Sequence, residues 1–311
     1  MRFTNFPPAD SPEERKKKIS MTVFNLGSIN IDLIYDMSRF PKPGETLAAV
    51  NHQRGLGGKG ANQSVALSAA GVEVNHLGAI NGSDKWLLDY LIDAGVNTTC
   101  IQCVDVPTGH AIVAVNSLGE NQIILYPGAN NAIDIERVER CLVNAKPGDW
   151  GLCQNETNGL NEFADAVLAA GLKLAYSAAP FNAELVLEML PKINLLVLNS
   201  LEAEELKEAL GKDLVEIGID HLVVTRGAEG AEYWGVAGHI SRGSFPVKVF
   251  DTTGAGDCFL GFFLGAISKG ESVDLALTQA LAASAISVTS AGAAQSIPSL
   301  SQVDTFLLRY N

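Results

Sequence analysis

A segment near the carboxyl end of the chain combines a carboxylate with a run of small residues. It reads Asp251-Thr252-Thr253-Gly254-Ala255-Gly256-Asp257-Cys258-Phe259 and leads into an apolar helix. Backbone amides at the start of a helix are unpaired and bind anions, aided by the helix dipole. The carboxylate of Asp257 could simply cap the helix, but it could also accept the proton of a hydroxyl that attacks the bound anion. The segment therefore indicates phosphoryl transfer to an alcohol.

A second glycine-rich segment reads Gly55-Leu56-Gly57-Gly58-Lys59-Gly60-Ala61-Asn62. Gly55, Gly57 and Gly60 satisfy G-x-G-x-x-G, but a dinucleotide-binding fold has this pattern directly after its first strand, and here an insert intervenes. The P-loop pattern fails because Gly60 follows Lys59 where Ser or Thr is required. A plain loop-to-helix turn would explain the glycines. It would not require Lys59 and Asn62, which lie one turn apart and can face one ligand.

The composition excludes several classes of protein. The chain has 311 residues, with 22 Lys and Arg against 35 Asp and Glu, and 47% hydrophobic residues. A hydrophobic share of this size supplies a large core and excludes an intrinsically disordered chain. The net charge of −13 argues against nucleic acid and against an anionic membrane as partners, since both need basic patches. The longest apolar runs fall short of the ~20 residues that span a bilayer.

The cysteines and histidines predict neither a disulfide framework nor a histidine-bound metal. The chain has five cysteines, an odd number that fits a reducing compartment, and we expect a cytoplasmic location. Cys100 and Cys103 form a lone C-x-x-C, and in an extended stretch their side chains would point to opposite faces. The histidines lack the H-x-x-x-H and H-E-x-x-H spacings of zinc sites.

The hydrophobic pattern predicts alternating strands and helices. Short apolar runs indicate buried strands, and the helices between them carry cap residues such as Ser83 and closing glycines such as Gly71 and Gly95. This alternation predicts an α/β fold with a mostly parallel sheet covered on both faces. The predicted strands are Val23–Gly27, Val74–Ile80, Leu172–Tyr176, Leu195–Leu198 and His221–Thr225, and the predicted helices are Ala61–Ala70, Ser83–Ala94, Asn161–Ala170, Glu184–Leu190, Ser200–Leu210, Gly256–Ser268 and Val273–Val288.

Two β-rich inserts, at about residues 30–54 and 98–126, interrupt this alternation. Turn signals at Pro107-Thr108-Gly109 and at Leu118-Gly119-Glu120-Asn121 predict hairpins there. The inserts would form a small lid sheet within one domain that spans residues 21–311. Because such a sheet exposes edges and an apolar face, we expect a homodimer that covers them. Residues 1–20, rich in Pro and charge, are expected to be a disordered arm or a cloning remnant.

Several segments resemble the signatures of the PfkB-type sugar kinases. The amino-terminal signature is similar to Gly27-Ser28-Ile29-Asn30-Ile31-Asp32, Pro43-Gly44-Glu45-Thr46 and residues 57–62, and the carboxy-terminal signature is similar to residues 251–257. Asn199-Ser200-Leu201-Glu202 matches the N-x-x-E of the family, and Pro127-Gly128-Ala129-Asn130 is most like its ribokinase branch. The resemblance runs from about Val23 to Pro298. It implies a ribokinase-like three-layer αβα sandwich with a small inserted β-sheet lid.

The resemblance also implies a sugar site and a nucleotide site on either side of an anion hole. Asp257 would be the catalytic base, and the amides of Gly254, Ala255 and Gly256 would stabilise the transferring phosphoryl group. Asn199 and Glu202 would organise Mg²⁺ through its waters. The implied sugar-binding residues are Asn30, Asp32, Gly58, Lys59, Asn62, Glu156 and Asp257. The implied ATP-binding residues are Asn199, Glu202, Thr225, Arg226 and Gly227, of which the last three would otherwise form an ordinary exit from a strand.

The resemblance implies a potassium site as well, at positions that enclose potassium in the family, several of them through backbone carbonyls. Oxygen-only ligands with a single carboxylate suit a large monovalent cation. An ordinary loop packing is the alternative. The implied ligands are Asp251, Thr253, Ser287, Ser290, Gly292 and Ser296, and Ser290 departs from the family, which commonly has Arg there. A second departure is Tyr176-Ser177-Ala178-Ala179-Pro180, which lacks the Asn of the usual Asn-Pro-Ala-Pro.

The implied activity is ATP-dependent phosphorylation of the 5-hydroxyl of D-ribose, with Mg²⁺ required and K⁺ activating. The missing Asn leaves room for another sugar or for a nucleoside such as pseudouridine or adenosine. A catalytically silent sugar-binding module is a further alternative, since fold does not fix function. A dinucleotide-dependent oxidoreductase is a third alternative, and the insert between the first strand and the G-x-G-x-x-G pattern argues against it.

Overall fold

The computed structural model describes residues 21–310, and the arm expected over residues 1–20 lies outside them. The strands are β1 Thr22–Leu26, β2 Asn30–Asp36, β3 Asn51–Gly57, β4 Glu73–Asn81, β5 Ile101–Val104, β6 Gly109–Val115, β7 Asn121–Tyr126, β8 Trp150–Gln154, β9 Lys173–Ser177, β10 Leu195–Asn199, β11 His221–Thr225, β12 Ala231–Gly235 and β13 Gly238–Arg242. The α-helices are α1 Lys59–Ala69, α2 Trp86–Asp93, α3 Ile135–Cys141, α4 Leu160–Ala169, α5 Ala183–Met189, α6 Ser200–Leu210, α7 Ala255–Ser268, α8 Val273–Ser287 and α9 Leu300–Leu307.

The central sheet has nine strands in the order β13-β12-β11-β10-β9-β8-β1-β4-β5. Its strands pair in parallel from β11 to β5, whereas β12 and β13 pair antiparallel at the other edge. Inner strands such as β8 and β10 are continuous apolar runs because helices cover both faces. One apolar cluster lies against α1, α2, α7, α8 and α9, and a second lies against α3, α4, α5 and α6. The predicted three-layer α/β architecture is confirmed.

A separate four-stranded sheet in the order β3-β2-β6-β7 forms the lid. In it β2 pairs antiparallel with β3 and parallel with β6, and β6 and β7 form a hairpin. The prediction of lid structure from residue 98 onward is wrong at its start, because Ile101–Val104 pairs in parallel with β4 at the edge of the central sheet. The turn at residues 107–109 therefore joins the two sheets. A four-residue strand carries no periodicity that could tell one sheet from the other.

The start of helix α2 also differs from its prediction. The helix begins at Trp86, and Ser83 does not cap it. The hydroxyl of Ser83 instead donates a hydrogen bond of 2.7 Å to Oδ1 of Asn81, which also accepts the amide of Ser83 at 3.0 Å. Because Asn81 satisfies these groups locally, a turn forms first and the helix starts later.

Cys100 and Cys141 form a disulfide, whereas the cysteine count argues against a disulfide framework. Their Sγ atoms are 2.18 Å apart, and the bridge ties the turn before β5 to the end of α3. Cys103 remains free, so the C-x-x-C is not a redox pair. An odd number of cysteines does not exclude one bridge, and it no longer argues for a reducing compartment. The cytoplasmic location therefore stays a prediction.

Helices α1 and α7 pack closely enough to bring their first turns together. A Cβ added at Gly261 of α7 would lie 2.3 Å from the Cβ of Ala66 on α1. Only glycine permits this approach in a close-packed interior. Within residues 21–310, no helix combines the length and the apolar character that crossing a membrane requires.

Candidate active site

The predicted site residues lie mainly where the central strands end. Asn199 and Thr225 close β10 and β11 and are paired in register. Glu156 follows the end of β8, and Asn30 follows β1 at the start of the lid. Ligands of parallel α/β sheets bind outside the carboxyl ends of the strands. The fold therefore gathers these residues at the edge where a ligand is expected.

Asp257 lies in the first turn of α7 and is only 9% exposed. Its Oδ2 accepts a hydrogen bond of 3.0 Å from Nδ2 of Asn62, and its Oδ1 accepts one of 2.8 Å from Nε2 of Gln63. Burial raises the pKa of Asp257, although Lys59 and the two amide donors act in the opposite direction. A raised pKa makes the carboxylate a stronger proton acceptor. Gln63 was not among the residues singled out from the sequence.

The three amides expected to form the anion hole are not all free. Gly254 precedes α7 with a φ of 71°. The amide of Ala255 donates a hydrogen bond of 3.2 Å to the carbonyl of Thr252, which corrects the expectation that it is unpaired, because the chain makes a turn here. Within the described chain, the amides of Gly254 and Gly256 donate to no backbone carbonyl. These two remain available to an anion.

Glu156 joins the end of β8 to the glycine-rich segment. Its Oε2 accepts hydrogen bonds of 2.5 Å from Oγ of Ser28 and 3.0 Å from the amide of Lys59, which follows Gly58 at the start of α1. The ammonium of Lys59 acts on both Asp257 and Glu202, since it opposes the rise in the pKa of each carboxyl that burial causes. Lys59 therefore provides positive charge that acts on both Asp257 and Glu202.

Asn30 is oriented by a residue that the sequence analysis left without a role. Asn130 donates a hydrogen bond of 2.7 Å from Nδ2 to Oδ1 of Asn30. The Oδ1 of Asn130 in turn accepts the amide of Ile29 at 2.9 Å, which fixes its orientation. Because the Oδ1 of Asn30 faces Asn130, its Nδ2 points away from Asn130 as a hydrogen-bond donor.

Asp32 lies on β2 of the lid in a confined position. A Cβ added at Gly57 would lie 2.2 Å from its carboxyl group, so glycine is required there. Burial, and then the charge of Glu156, raise the pKa of Asp32 to about 6. Its ionisation therefore changes close to neutral pH.

The N-x-x-E residues cap helix α6. The amide of Glu202 donates to Oδ1 of Asn199 at 2.9 Å, and the amide of Asn199 donates to Oε2 of Glu202 at 2.8 Å. Their oxygens are thus engaged by the backbone but keep further lone pairs. This donor set fits a cation that retains its waters better than one bound directly.

Residues 225–227 follow the end of β11, next to Asn199 at the end of β10. Thr225 donates a hydrogen bond of 3.3 Å to the carbonyl of Leu198, and Gly227 has a φ of 54°. The guanidinium of Arg226 pairs with Glu232 on β12, with its Nε at 2.7 Å from Oε2. Arg226 is therefore held along the antiparallel edge of the sheet.

Asp251 connects the two loops that were expected to hold potassium. Its Oδ1 accepts hydrogen bonds from the amide and the hydroxyl of Thr253 at 2.9 and 2.7 Å, and its Oδ2 accepts the amide of Gly292 at 2.9 Å. Burial acts to raise the pKa of Asp251, but these bonds lower it overall. The carboxylate thus stays ionised at the junction of the loops.

The remaining potassium candidates lie at the end of α8 and on the loop that follows it. The hydroxyls of Ser287 and Ser296 donate to local carbonyls, and the amide of Ser290 donates to the carbonyl of Ser287. Carbonyl oxygens with a single carboxylate fit a monovalent cation. Among the described residues, no group of three or more His, Cys, Asp or Glu side chains could hold a metal ion.

A cavity of about 820 Å³ lies at the opposite end of the central strands. Its lining includes Thr22, Glu73 and Asp149, and none of the predicted site residues. Size alone does not identify a reaction site. The buried carboxylate, paired amide donors and free helix amides at the other end indicate where chemistry occurs.

Comparison with known proteins adds an independent line of evidence. The model of the pfkB family of carbohydrate kinases matches residues 21–300. A ribokinase of Haemophilus influenzae is 35% identical over 302 residues, which cover 92% of this chain and 98% of that protein. A deoxyribokinase of Salmonella typhi is 31% identical over 304 residues, with 92% and 99% covered. A structure of Arabidopsis thaliana ribokinase complexed with ribose and ATP matches with a TM-score of 0.80 and 29% identity, with 93% and 98% covered.

Proposed function

The chain belongs to the PfkB family of carbohydrate kinases, and we propose that it transfers the terminal phosphoryl group of ATP to the 5-hydroxyl of D-ribose. The resemblance noted in the sequence is thereby confirmed at the level of the family. One observation carries the proposal beyond family membership. Asp257 is a buried carboxylate at the start of a helix, held by Asn62 and Gln63. This is the arrangement that in-line transfer to an alcohol requires.

Asp257 acts as the base for the primary hydroxyl. A sugar hydroxyl is too weakly acidic for a carboxylate to ionise it in advance, so its proton leaves as the new P–O bond forms. Such a base contributes roughly 10²- to 10⁴-fold to the rate. The amides of Gly254 and Gly256, with the positive charge of Lys59, stabilise the charge on the transferring group.

The sugar lies between the lid and the start of α1. Asn30 donates from its Nδ2, Asp32 and Glu156 accept hydroxyls, and Asn62 contacts both the sugar and the base. On the other side, Thr225, Arg226 and Gly227 line the ATP site. Asn199 and Glu202 would hold Mg²⁺ through its waters. The ion neutralises charge on the phosphates when bound.

Potassium would bind where Asp251 joins its two loops, next to the start of α7. Support comes from the single carboxylate of Asp251, which stays ionised and joins the two loops. A cation there would stabilise the loop that leads into the anion hole. Turnover is therefore expected to rise when K⁺ replaces a bulky organic cation at constant ionic strength.

A homodimer formed through the lid is part of the proposal. Strand β7 is exposed along its whole length, with Ile123 and Ile124 at 59% and 67% exposure. Exposed apolar residues on an edge strand invite pairing with a second copy. Light scattering should give twice the chain mass for the wild type and one chain mass for Ile124→Glu. A monomeric wild type at assay concentrations would contradict the dimer.

A second candidate substrate is 2-deoxyribose, because a relative named deoxyribokinase is 31% identical over 304 residues. ADP release across ribose, deoxyribose, fructose and nucleosides, each with and without K⁺, separates the candidates. A polar site rejects an analogue that lacks a partnered hydroxyl by up to about 10⁴- to 10⁵-fold. We expect the highest kcat/KM with ribose. Sugar binding without ADP release would favour a silent binding module.

A further inference from the structure

A row of buried polar side chains leads from Asp257 into the protein interior. Its members come from the central sheet and from α1, and each is at most 1% exposed. Buried polar groups are costly unless they are hydrogen-bonded, so a continuous row of them needs an explanation. We call this row the buried network. In order from Asp257 it consists of Gln63, Gln154, Asn25, Ser64 and His76.

The half of the buried network next to Asp257 consists of side-chain amides. Gln63 donates to Oδ1 of Asp257 and accepts at Oε1 a hydrogen bond of 2.8 Å from Nε2 of Gln154. The same Nε2 donates at 2.9 Å to Oδ1 of Asn25. Both N–H groups of Gln154 are thus used.

The far half of the buried network ends on histidine. Nδ2 of Asn25 donates to Oγ of Ser64 at 2.8 Å and to the carbonyl of Gly60 at 2.9 Å. Oγ of Ser64 lies 2.8 Å from Nδ1 of His76, whose Nε2 lies 3.1 Å from the carbonyl of Gly27. Burial lowers the pKa of His76 to about 4, so the ring is neutral at neutral pH.

Two backbone carbonyls set the direction of every hydrogen bond in the buried network, because a carbonyl can only accept. The carbonyl of Gly27 requires the proton of His76 on Nε2, so Nδ1 accepts the Ser64 hydroxyl. The carbonyl of Gly60 requires the nitrogen of Asn25 to face it, which turns the oxygen of Asn25 toward Gln154. Gln154 must then present its nitrogen.

The orientation of Gln154 determines that of Gln63. Because Gln154 presents Nε2, Gln63 faces it with Oε1 and presents its own Nε2 to Asp257. Within the described chain, Oε1 of Gln154 has no hydrogen-bond partner. If the side-chain amide of Gln154 were turned over, its oxygen would face Oδ1 of Asn25 and Oε1 of Gln63. The observed orientation avoids this repulsion between oxygens.

We propose that the buried network is a positioning device for the proposed catalytic base, in which Gln154, Asn25, Ser64 and His76 hold Gln63 so that its amide donates to Oδ1 of Asp257. The proposal rests on the proposed function, since it assigns these residues to the same base. Through Gln63, the network fixes the orientation of the carboxylate. None of its members beyond Gln63 contacts Asp257.

The other charged groups that act on Asp257 lie outside the buried network. Lys59 on α1 favours the ionised carboxylate, and Glu156 after β8 disfavours it. Variants within the network leave both charges in place. A change in the protonation of Asp257 in such variants therefore reports the loss of the amide donor.

Gln63→Met tests the contact with Asp257, and Ser64→Ala tests the far half of the buried network. The loss of a donor to a carboxylate destabilises its ionised form, so the acid limb of kcat against pH should move to higher pH by roughly one unit in Gln63→Met. The value of kcat should fall by roughly 10- to 100-fold, with the KM for sugar and for ATP nearly unchanged. Ser64→Ala should shift the limb in the same direction by less.

Gln102→Met is the matched control. Gln102 is another buried glutamine, at 2% exposure, and it bonds the backbone of Asp134 twice at 2.9 Å, away from Asp257. Its loss should lower the melting temperature without moving the pH profile. If Gln63→Met does not fold, the pH profile of kcat can be measured in Gln154→Met and Ser64→Ala instead. Gln154 is the next member of the network after Gln63, and Ser64 is the third after it.

The proposal is overturned if the folded network variants keep the acid limb and the kcat of the wild type, or lose only thermal stability as the control does. Asp257→Asn separates this failure from a failure of the proposed function. If Asp257→Asn loses turnover while the network variants do not, only the positioning role is wrong. If Asp257→Asn keeps its turnover, the base assignment is wrong.

Discussion

Asn62 donates a hydrogen bond of 3.0 Å to Oδ2 of Asp257. A residue proposed to bind the sugar thus contacts the residue proposed to accept the proton of the sugar hydroxyl. Within the described chain, the Oδ1 of Asn62 is buried and has no partner. The amide thus orients the carboxylate through its nitrogen and keeps an unused acceptor in its oxygen. The proposed function therefore assigns both sugar binding and the alignment of the base to this side chain.

Replacing Asp257 should separate binding from turnover. Asp257→Asn keeps the size of the side chain but removes the proton acceptor, so kcat should fall by roughly 10²- to 10⁴-fold. Calorimetry should still detect sugar binding. Asp93→Asn, at an exposed position at the end of α2, is the control and should behave as the wild type. Near-normal kcat in Asp257→Asn would exclude this residue as the base.

Gly256→Ala should reduce activity without harming the fold. A Cβ at Gly256 would meet nothing within 4 Å, and alanine in a helix is favoured over glycine by up to about 1 kcal/mol. Thermal stability should therefore be equal or higher. The methyl group would keep a phosphoryl group from the amide, so kcat/KM for ATP should fall at least tenfold, or ~1.4 kcal/mol. Gly243→Ala, also free of contacts, should leave both properties unchanged. Wild-type kinetics in Gly256→Ala would remove this amide from the anion hole.

Sugar affinity should depend on the ionisation of Asp32. Burial and Glu156 raise the pKa of Asp32 to about 6, so its carboxylate is charged above that pH and protonated below it. Because the charged form is the better acceptor, the KM for ribose should rise as pH falls through 6, by up to about tenfold per unit. In Asp32→Asn this dependence should disappear, while Asp36→Asn on the same strand should retain it. A pH-dependent KM that survives in Asp32→Asn would point to another group.

The disulfide should contribute measurably to stability. Cys100 and Cys141 are 41 positions apart, and closing a loop of that length typically adds about 2–4 kcal/mol to the free energy of unfolding. In urea unfolding, the free energy of unfolding of Cys141→Ser should be lower than that of the wild type by this amount. A reductant should lower the free energy of unfolding of the wild type to the same level. Cys103→Ser changes an exposed free thiol and should have little effect. Equal urea midpoints with and without reductant would argue against the bridge.

The elements that were predicted well are those encoded by their own residues. Helix α6 begins at Ser200 because Asn199 and Glu202 form a capping box, and it ends before Gly211, whose φ of 64° suits glycine. Strand β11 was likewise predicted with its observed ends, since it is an apolar run between polar residues. Local chemistry was sufficient in both cases.

The features that were missed depend on partners far away in the sequence. Nothing within Ile101–Val104 indicates that its neighbour is β4 rather than a lid strand. The partner of Cys100 is set by folding, which brings the Cα of Cys141 to 6.3 Å. Parity of the cysteine count was too weak an argument to exclude one pair.

Gln63 was missed for a different reason. It directly follows Asn62 in the glycine-rich segment, but a neutral amide on a buried helix carries no signal of its own. Its role becomes visible only when Asp257, 194 positions later, lies beside it. One signal could have been used. Gln63 lies on the same helical turn as Lys59 and Asn62, which were already candidate site residues.

The contact between α1 and α7 has a consequence for synthesis of the chain. Asn62 leaves the ribosome 195 residues before Asp257, a delay of roughly 10–40 s at ordinary translation speeds. Every truncated product released in that interval carries the amide donors without the base. With Asp257 as the proposed base, chains that end before this residue would be unable to transfer a phosphoryl group from ATP.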